Sequence, residues 1–248
     1  MDNQAFSLLQ SKIQGNLAEI SEIIDRAASR SGRAADEISI LAISKRQPVE
    51  VIEAAYSCGQ RAFGESYVQE ALEKMTRLQK FEGINWEMVG HVQSRKVRQV
   101  AENFHTVHSV DSLKLADLLN RHRPAAMLPL EVFLEVNIGD ESSKTGFSAK
   151  SEVDWEALVP VVREISGLNR LKLMGLMAMP PLFQDPKMSR PYFLKLRQLR
   201  DYLNNHVKEA TLDQISAGTS ADFEVAIEEG STVVRIGERL LGPRTYTD

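Results

Sequence analysis

Near the N-terminus, apolar residues recur at steps of three and four: Leu9, Ile13, Leu17, Ile20, Ile24 and Ala27. That spacing puts them on one helical face and predicts one long amphipathic helix over residues 5–30, ended by Gly32. From residue 38 the pattern changes to short apolar runs, each followed by a helical period. The first run, 38–45, ends in Ser44-Lys45, and Pro48 with Glu50 opens a helix that closes at Gly59. Runs at 61–64, 84–89, 105–110, 130–138, 171–177, 212–216 and 232–236 predict seven more strands. Between them, helices are expected at 67–79, from about Ser94, and at 112–121, 152–166, 189–206 and 221–229, with a short tail after the last strand.

Strands that alternate with helices imply a parallel sheet, because every parallel connection must cross back over it. Eight such units predict a single (β/α)8 TIM-type barrel with an extra N-terminal helix, read as one domain over residues 1–248. An open doubly wound sheet is the competing fold. It would carry a glycine-rich fingerprint after the first strand, where Ser44-Lys45-Arg46-Gln47 stands instead. The longest loops, 139–151 and 178–188, fall on the rim of the barrel.

The composition, 43% hydrophobic and 26% charged, fits a packed core rather than disorder. A net charge of -4 argues against a nucleic-acid binder held by bulk electrostatics. Cys58 is the sole cysteine, which suits a reducing compartment, and no apolar run approaches the roughly 20 residues of a membrane span. The start Met1-Asp2-Asn3-Gln4 does not resemble a signal peptide, so a cytoplasmic protein is expected, without membrane or nucleic-acid partners.

Lys45 stands where a parallel α/β protein binds ligands, at the carboxyl end of a strand. With period-two alternation it shares a face with Ile43 and Leu41. Dry neighbours lower an amine's pKa, and its neutral form attacks carbonyls. Taken alone, the same stretch reads more readily as a lysine snorkelling at a strand end. Ser216-Ala217-Gly218-Thr219-Ser220-Ala221-Asp222 and Arg235-Ile236-Gly237-Glu238 follow the seventh and eighth strands, the loops that hold phosphate in many barrels. Ser220 offers a hydroxyl and an N–H at a helix start, and Gly237 allows close backbone approach. Alternatively Thr219 or Ser220 is only an N-cap, with Asp222 and Glu224 complementing the helix dipole. Arg235 projects into the barrel mouth, to meet either a ligand or an acid such as Glu135 or Glu65.

Other motifs carry less. His105 and His108 fall on opposite strand faces and make a poor metal pair, so no metal is expected. Cys58 reads as a packed small residue, and Ser94-Arg95-Lys96 with Arg98 as a solvated basic helix start. Met174, Met177 and Met179 read as core filler, and Lys144-Thr145-Gly146 as a loop able to touch a ligand.

The blocks Ser44-Lys45, Phe63-Gly64-Glu65-Ser66-Tyr67-Val68-Gln69-Glu70, Val89-Gly90-His91-Val92-Gln93-Ser94-Arg95-Lys96, Ser143-Lys144-Thr145-Gly146, Gly175-Leu176-Met177-Ala178-Met179-Pro180 and Ser216 to Gly242 appear in this order. Together they resemble the YggS/PROSC family of pyridoxal-phosphate homeostasis proteins. The resemblance implies a barrel like the N-terminal domain of alanine racemase, with pyridoxal 5'-phosphate (PLP) at the rim. It implies that Lys45 forms the Schiff base, that Ser220 and the backbone of Gly237 and Glu238 hold the phosphate, and that Arg235 faces the pyridine nitrogen. Ser66 stands where the family usually carries Asn, which shortens its reach to the cofactor ring. Thr219 stands where Met is frequent. Glu238 replaces Thr or Ala and adds negative charge beside the phosphate, so its carboxylate is expected to point away.

Two function classes follow from the resemblance. One is a monomeric PLP homeostasis protein without enzymatic activity, whose partners are PLP, PLP-dependent client enzymes and free amino acids. The other is a fold-type-III PLP enzyme such as an amino-acid racemase, which needs two acid/base groups on opposite faces of the substrate. In racemases a second β domain supplies one of them, and with the chain ending at Asp248 none is expected here. An arginine at the pyridine nitrogen also weakens the ring as an electron sink. A barrel enzyme acting on a small phosphorylated metabolite without PLP is the third possibility, in which Lys45 is only an electrostatic partner.

Overall fold

The computed structural model describes residues 2–139 and 145–244. Helix α1 runs Asn3–Arg30, two residues longer at its start than the periodicity predicts, because Asp2 caps it by accepting the Ala5 N–H at 2.7 Å. Its buried stripe is Ile13, Ile20, Ile23, Ile24, Ala27 and Ala28. This helix lies against α2 (Val49–Ser57), α8 (Phe223–Glu228) and α9 (Glu238–Leu241). The Asn16 amide donates to Leu240 O at 2.9 Å, and Arg30 pairs with Glu228 at 2.7 Å and also with Glu224.

The eight predicted strands are present as β1 (Ser39–Ile43), β2 (Ala62–Glu65), β3 (Asn85–Met88), β4 (Thr106–Val110), β5 (Leu130–Asn137), β7 (Leu171–Met177), β8 (Gln214–Thr219) and β9 (Val233–Ile236). Each pairs in parallel with the next, β9 pairs with β1, and β4 pairs with β5. The ring is closed, as the barrel reading requires. Between β-strands lie α3 (Val68–Arg77), α4 (Val97–Asn103), α5 (Leu113–His122), α6 (Glu152–Ser166) and α7 (Arg190–His206).

Side-chain alternation splits the core in two. Leu41, Ile43, Phe133, Met177 and Val233 form a small cluster inside the barrel, while Ala42, Phe63, Val107 and their neighbours pack outward under the helices. At Gly175 the strands approach so closely that a Cβ would lie 1.8 Å from Gln214 O.

Three details depart from the sequence reading. Strand β1 stops at Ile43 rather than Lys45, because Ser44 to Gln47 form a turn in which the Gln47 N–H donates to Ser44 O at 3.0 Å. The rim segment 139–151 contains a two-residue strand, β6 (Phe147–Ser148), paired with Val136 and Asn137. Two residues are too few to display a period. The tail after β9 includes the single-turn helix α9.

Candidate functional site

A cavity of about 490 Å3 opens at the carboxyl ends of the strands. Lys45, Ser66, Ser220, Arg235, Gly237 and Glu238, all six residues singled out from sequence, line it. Ile43, Val89, Met177 and Leu182 give it apolar flanks, and Arg244 completes the polar side.

Lys45 sits two residues beyond β1, half-buried over Ile43. Burial pushes its ammonium below the usual lysine range; the cations Arg244 and Arg46 push the same way, against Glu65 and Glu70. The turn that presents it is strained. Arg46 has φ 58°, a left-handed conformation that non-glycine residues seldom adopt, and its N–H donates to Glu70 Oε1 at 2.5 Å. Behind the turn, Lys74 Nζ donates to Ser44 O at 2.7 Å, Glu65 Oε1 at 2.7 Å and Glu70 Oε1 at 2.6 Å. Ser44 Oγ also donates to Glu65 Oε1, at 2.8 Å. Burial raises the Glu65 carboxyl, and Lys74 offsets part of that. This strut was not anticipated. Its sequence signal is Glu70 and Lys74 at i and i+4, which looks the same as an ordinary surface pair.

The opposite wall gathers a hydroxyl, backbone N–H groups and an arginine. Neither Thr219 nor Ser220 stands at the N-cap of α8: Asp222 holds that position, makes no side-chain cap bond to the helix, and its Oδ1 instead accepts the N–H and hydroxyl of Thr219 at 2.8 and 3.0 Å. The Ser220 hydroxyl is therefore left to the cavity side, where it accepts the Gly237 N–H at 3.4 Å. Glu238 is the first residue of α9, so its N–H has no acceptor within the helix. A Cβ at Gly237 would come within 3.1 Å of Arg244 Nη2. The Glu238 carboxylate does not turn away from the site. It lies 3.7 Å from Arg244 Nε, so its charge is countered in place. Arg244 escaped the sequence reading because it falls in the stretch taken as a plain tail.

Arg235 is buried on β9 and faces the cavity. Of the two alternatives for its partner, the acid is not there: among the described residues no carboxylate is in ion-pair contact with it. Its Nη1 donates to Ser216 O at 2.7 Å and Ser216 Oγ at 2.9 Å, and its Nη2 to Ala178 O at 3.0 Å. Glu65 is taken by Lys74, and Glu135 accepts from the Thr145 hydroxyl at 2.8 Å. Burial lowers the Arg235 pKa to about 10, with Asp222 and Glu135 opposing from a distance.

The remaining candidates separate. His105 Nδ1 accepts the Trp86 N–H at 3.1 Å, while His108 is fully buried in the barrel interior. No metal-binding cluster of His, Cys, Asp or Glu occurs among the described residues. Cys58 lies against α1, its thiol 3.5 Å from Gln10 O. Arg95, Lys96 and Arg98 make exposed contacts with Gln93, Gln69 and Glu102. Met177 is core, but Met179 is 53% exposed and lines the cavity, because the chain has left β7 before reaching it. Ser143 and Lys144 lie outside the described residues. No described helix is long and apolar enough to cross a membrane.

Comparison with known proteins places this geometry. Residues 16–245 match the family model for the alanine racemase N-terminal domain. The chain is 41% identical over 236 residues to the pyridoxal phosphate homeostasis protein of Pseudomonas aeruginosa, covering 95% of this chain and 97% of the relative. It is 39% identical over 237 residues to the protein of the same name from Escherichia coli strain K12, covering 95% and 98%. Among solved structures, PipY of Synechococcus elongatus PCC7942 with PLP bound superimposes with a TM-score of 0.76 at 31% identity, covering 89% of this chain and all of that one. The chain belongs to the alanine racemase N-terminal-domain family and, within it, to the pyridoxal phosphate homeostasis proteins.

Proposed function

We propose that this barrel is a PLP-binding homeostasis protein that holds the cofactor covalently but reversibly at Lys45 and carries out no robust turnover. The observation that carries the reading is the convergence of six residues, from four separate segments of chain, on one rim cavity. When bound, PLP supplies an aldehyde that condenses reversibly with a primary amine as a Schiff base, and a phosphate dianion.

The residues present fit that group. Lys45 is the one lysine among the described lining residues, and its lowered pKa enlarges the neutral, nucleophilic fraction. Ser220 and the N–H groups of Gly237 and Glu238 are the proposed phosphate ligands, helped by Arg244. Arg235, a donor at every nitrogen, would face the pyridine nitrogen of a bound cofactor and would keep it unprotonated. Ser66 contacts the ring side from the end of β2.

The acid/base inventory supports a holding role rather than turnover. Among the described lining residues the titratable groups are Lys45, Arg235, Glu238 and Arg244. Arginines are poor proton donors, and Glu238 is paired with Arg244. Lys45 thus has no facing partner for two-sided proton transfer. The domain acts as an intracellular monomer that passes cofactor to client enzymes or exchanges it onto free amino acids. Titration with PLP should produce one equivalent of a visible-absorbing adduct. The same sample should show no racemisation across the amino acids; robust racemisation would overturn the holding role.

A further inference from the structure

Inside the barrel a line of hydrogen bonds leads away from Arg235. Ser216 Oγ, which accepts from Arg235 Nη1 at 2.9 Å, lies 2.9 Å from His108 Nδ1, and His108 Nε2 lies 2.6 Å from Glu87 Oε2. His108 has no exposed surface and stacks on Phe133, with ring centroids 4.5 Å apart and planes 7° from parallel. Glu87 and His108 also border a cavity of about 180 Å3 at the opposite mouth, among the first residues of the strands. The line therefore crosses the barrel from its N-terminal end to the rim.

Proton placement along it has a direction. A guanidinium only donates, so Ser216 Oγ accepts from Arg235. The Ser216 hydroxyl hydrogen then goes to His108 Nδ1, and the ring carries its own proton on Nε2, donated to the Glu87 carboxylate. Every polar hydrogen in the line then has an acceptor, with a neutral imidazole and one anion at the far end. Arg235 has no carboxylate in contact among the described residues, and the acids that act on it, Asp222 and Glu135, do so from a distance, so its aim is set by uncharged acceptors.

We infer that His108 and Glu87 are positioning residues for Arg235: through Ser216 they fix the guanidinium's aim at the cavity while leaving its rim-facing N–H groups open. A carboxylate placed directly against Arg235 would compete with the ligand for those donors. Anchoring through the uncharged Ser216 hydroxyl avoids that competition. The inference rests on the PLP reading for its consequence, but not for the line itself.

The test uses the full chain. In the ligand-free protein, nitrogen NMR of His108 should report the Nε2-protonated neutral tautomer; protonation at Nδ1 would overturn the proposal, whatever the protein binds. His108→Phe keeps the ring stack and cuts the line. It should fold, checked by thermal unfolding, yet bind PLP about tenfold more weakly or worse and shift the visible band. His108→Gln can accept from Ser216 and donate to Glu87, and should recover band position and most of the affinity. Should His108→Phe fail to fold, Glu87→Leu, which removes the acceptor at the far end of the line, replaces it with the same expected direction. A folded variant with the wild-type affinity and band overturns the role. A wild type that takes up no PLP defeats the proposed function instead, and leaves the tautomer measurement standing.

Discussion

Lys74 Nζ lies 2.7 Å from Glu65 Oε1 in the wall behind Lys45, with the lysine side chain 6% exposed and the carboxylate fully buried. Two charges are seldom buried unless each is held by several partners. Here Lys74 has three oxygen acceptors, and one of them, Ser44 O, belongs to the residue before Lys45. Removing the lysine strands Glu65, whose Oε2 already lacks a hydrogen-bond partner.

Lys74→Met is therefore expected to cost about 3–5 kcal/mol of folding stability. Arg98→Ala, which breaks an exposed pair with Glu102, should cost less than about 1 kcal/mol. Urea unfolding of the two variants measures both. Equal, small losses would mean that the buried pair is not a strut.

The lowered Lys45 pKa has a pH consequence whose sign is fixed. Depression means that the neutral amine appears at lower pH than in a free lysine, so covalent uptake of an aldehyde rises with pH and levels off below the ordinary lysine value of about 10.4. Arg244 contributes to the depression, so Arg244→Gln should move the midpoint upward and slow uptake near neutral pH. Pyridoxal without phosphate is the right probe, because it removes any direct effect of Arg244 on phosphate. An unmoved midpoint in the variant would contradict this account of the arginine.

Glu238 is the feature that most sets this site apart from the pattern its sequence resembles. Its carboxylate lies 3.7 Å from Arg244 beside the proposed phosphate position and draws on the same cation. Glu238→Gln removes that competition and should tighten PLP binding by about two- to fivefold, the size of an exposed ion-pair effect. The gain should shrink as salt is raised. Weaker binding in the variant would show that the glutamate supports the cradle rather than opposing it.

The barrel was readable because its signals are local. Eight apolar runs fix a parallel sheet whatever the side chains do at the rim, and they put Lys45 at the carboxyl end of β1, although the turn from Ser44 to Gln47 rather than strand alternation presents it there. What stayed hidden depends on chain segments meeting across long sequence distances. Whether Arg235 meets an acid or a serine is decided by where β8 lies against β9, and Ser216 looks like any strand serine in sequence. The bond from Thr219 to Asp222, which leaves the Ser220 hydroxyl to the cavity, rests on one loop conformation that Thr219, Ser220 and Asp222 could each have fixed differently. Arg244 carried no periodic signal at all.

The central claim is that one amine at the end of β1 and one anion cradle after β8 and β9 serve the same ligand. Reduction of the PLP-loaded protein with borohydride, followed by peptide mass mapping, tests this most directly. A single equivalent of reduced cofactor on the peptide containing Lys45, lost in Lys45→Ala, is the expected result. Label on another lysine, or an unchanged yield in that variant, would contradict it.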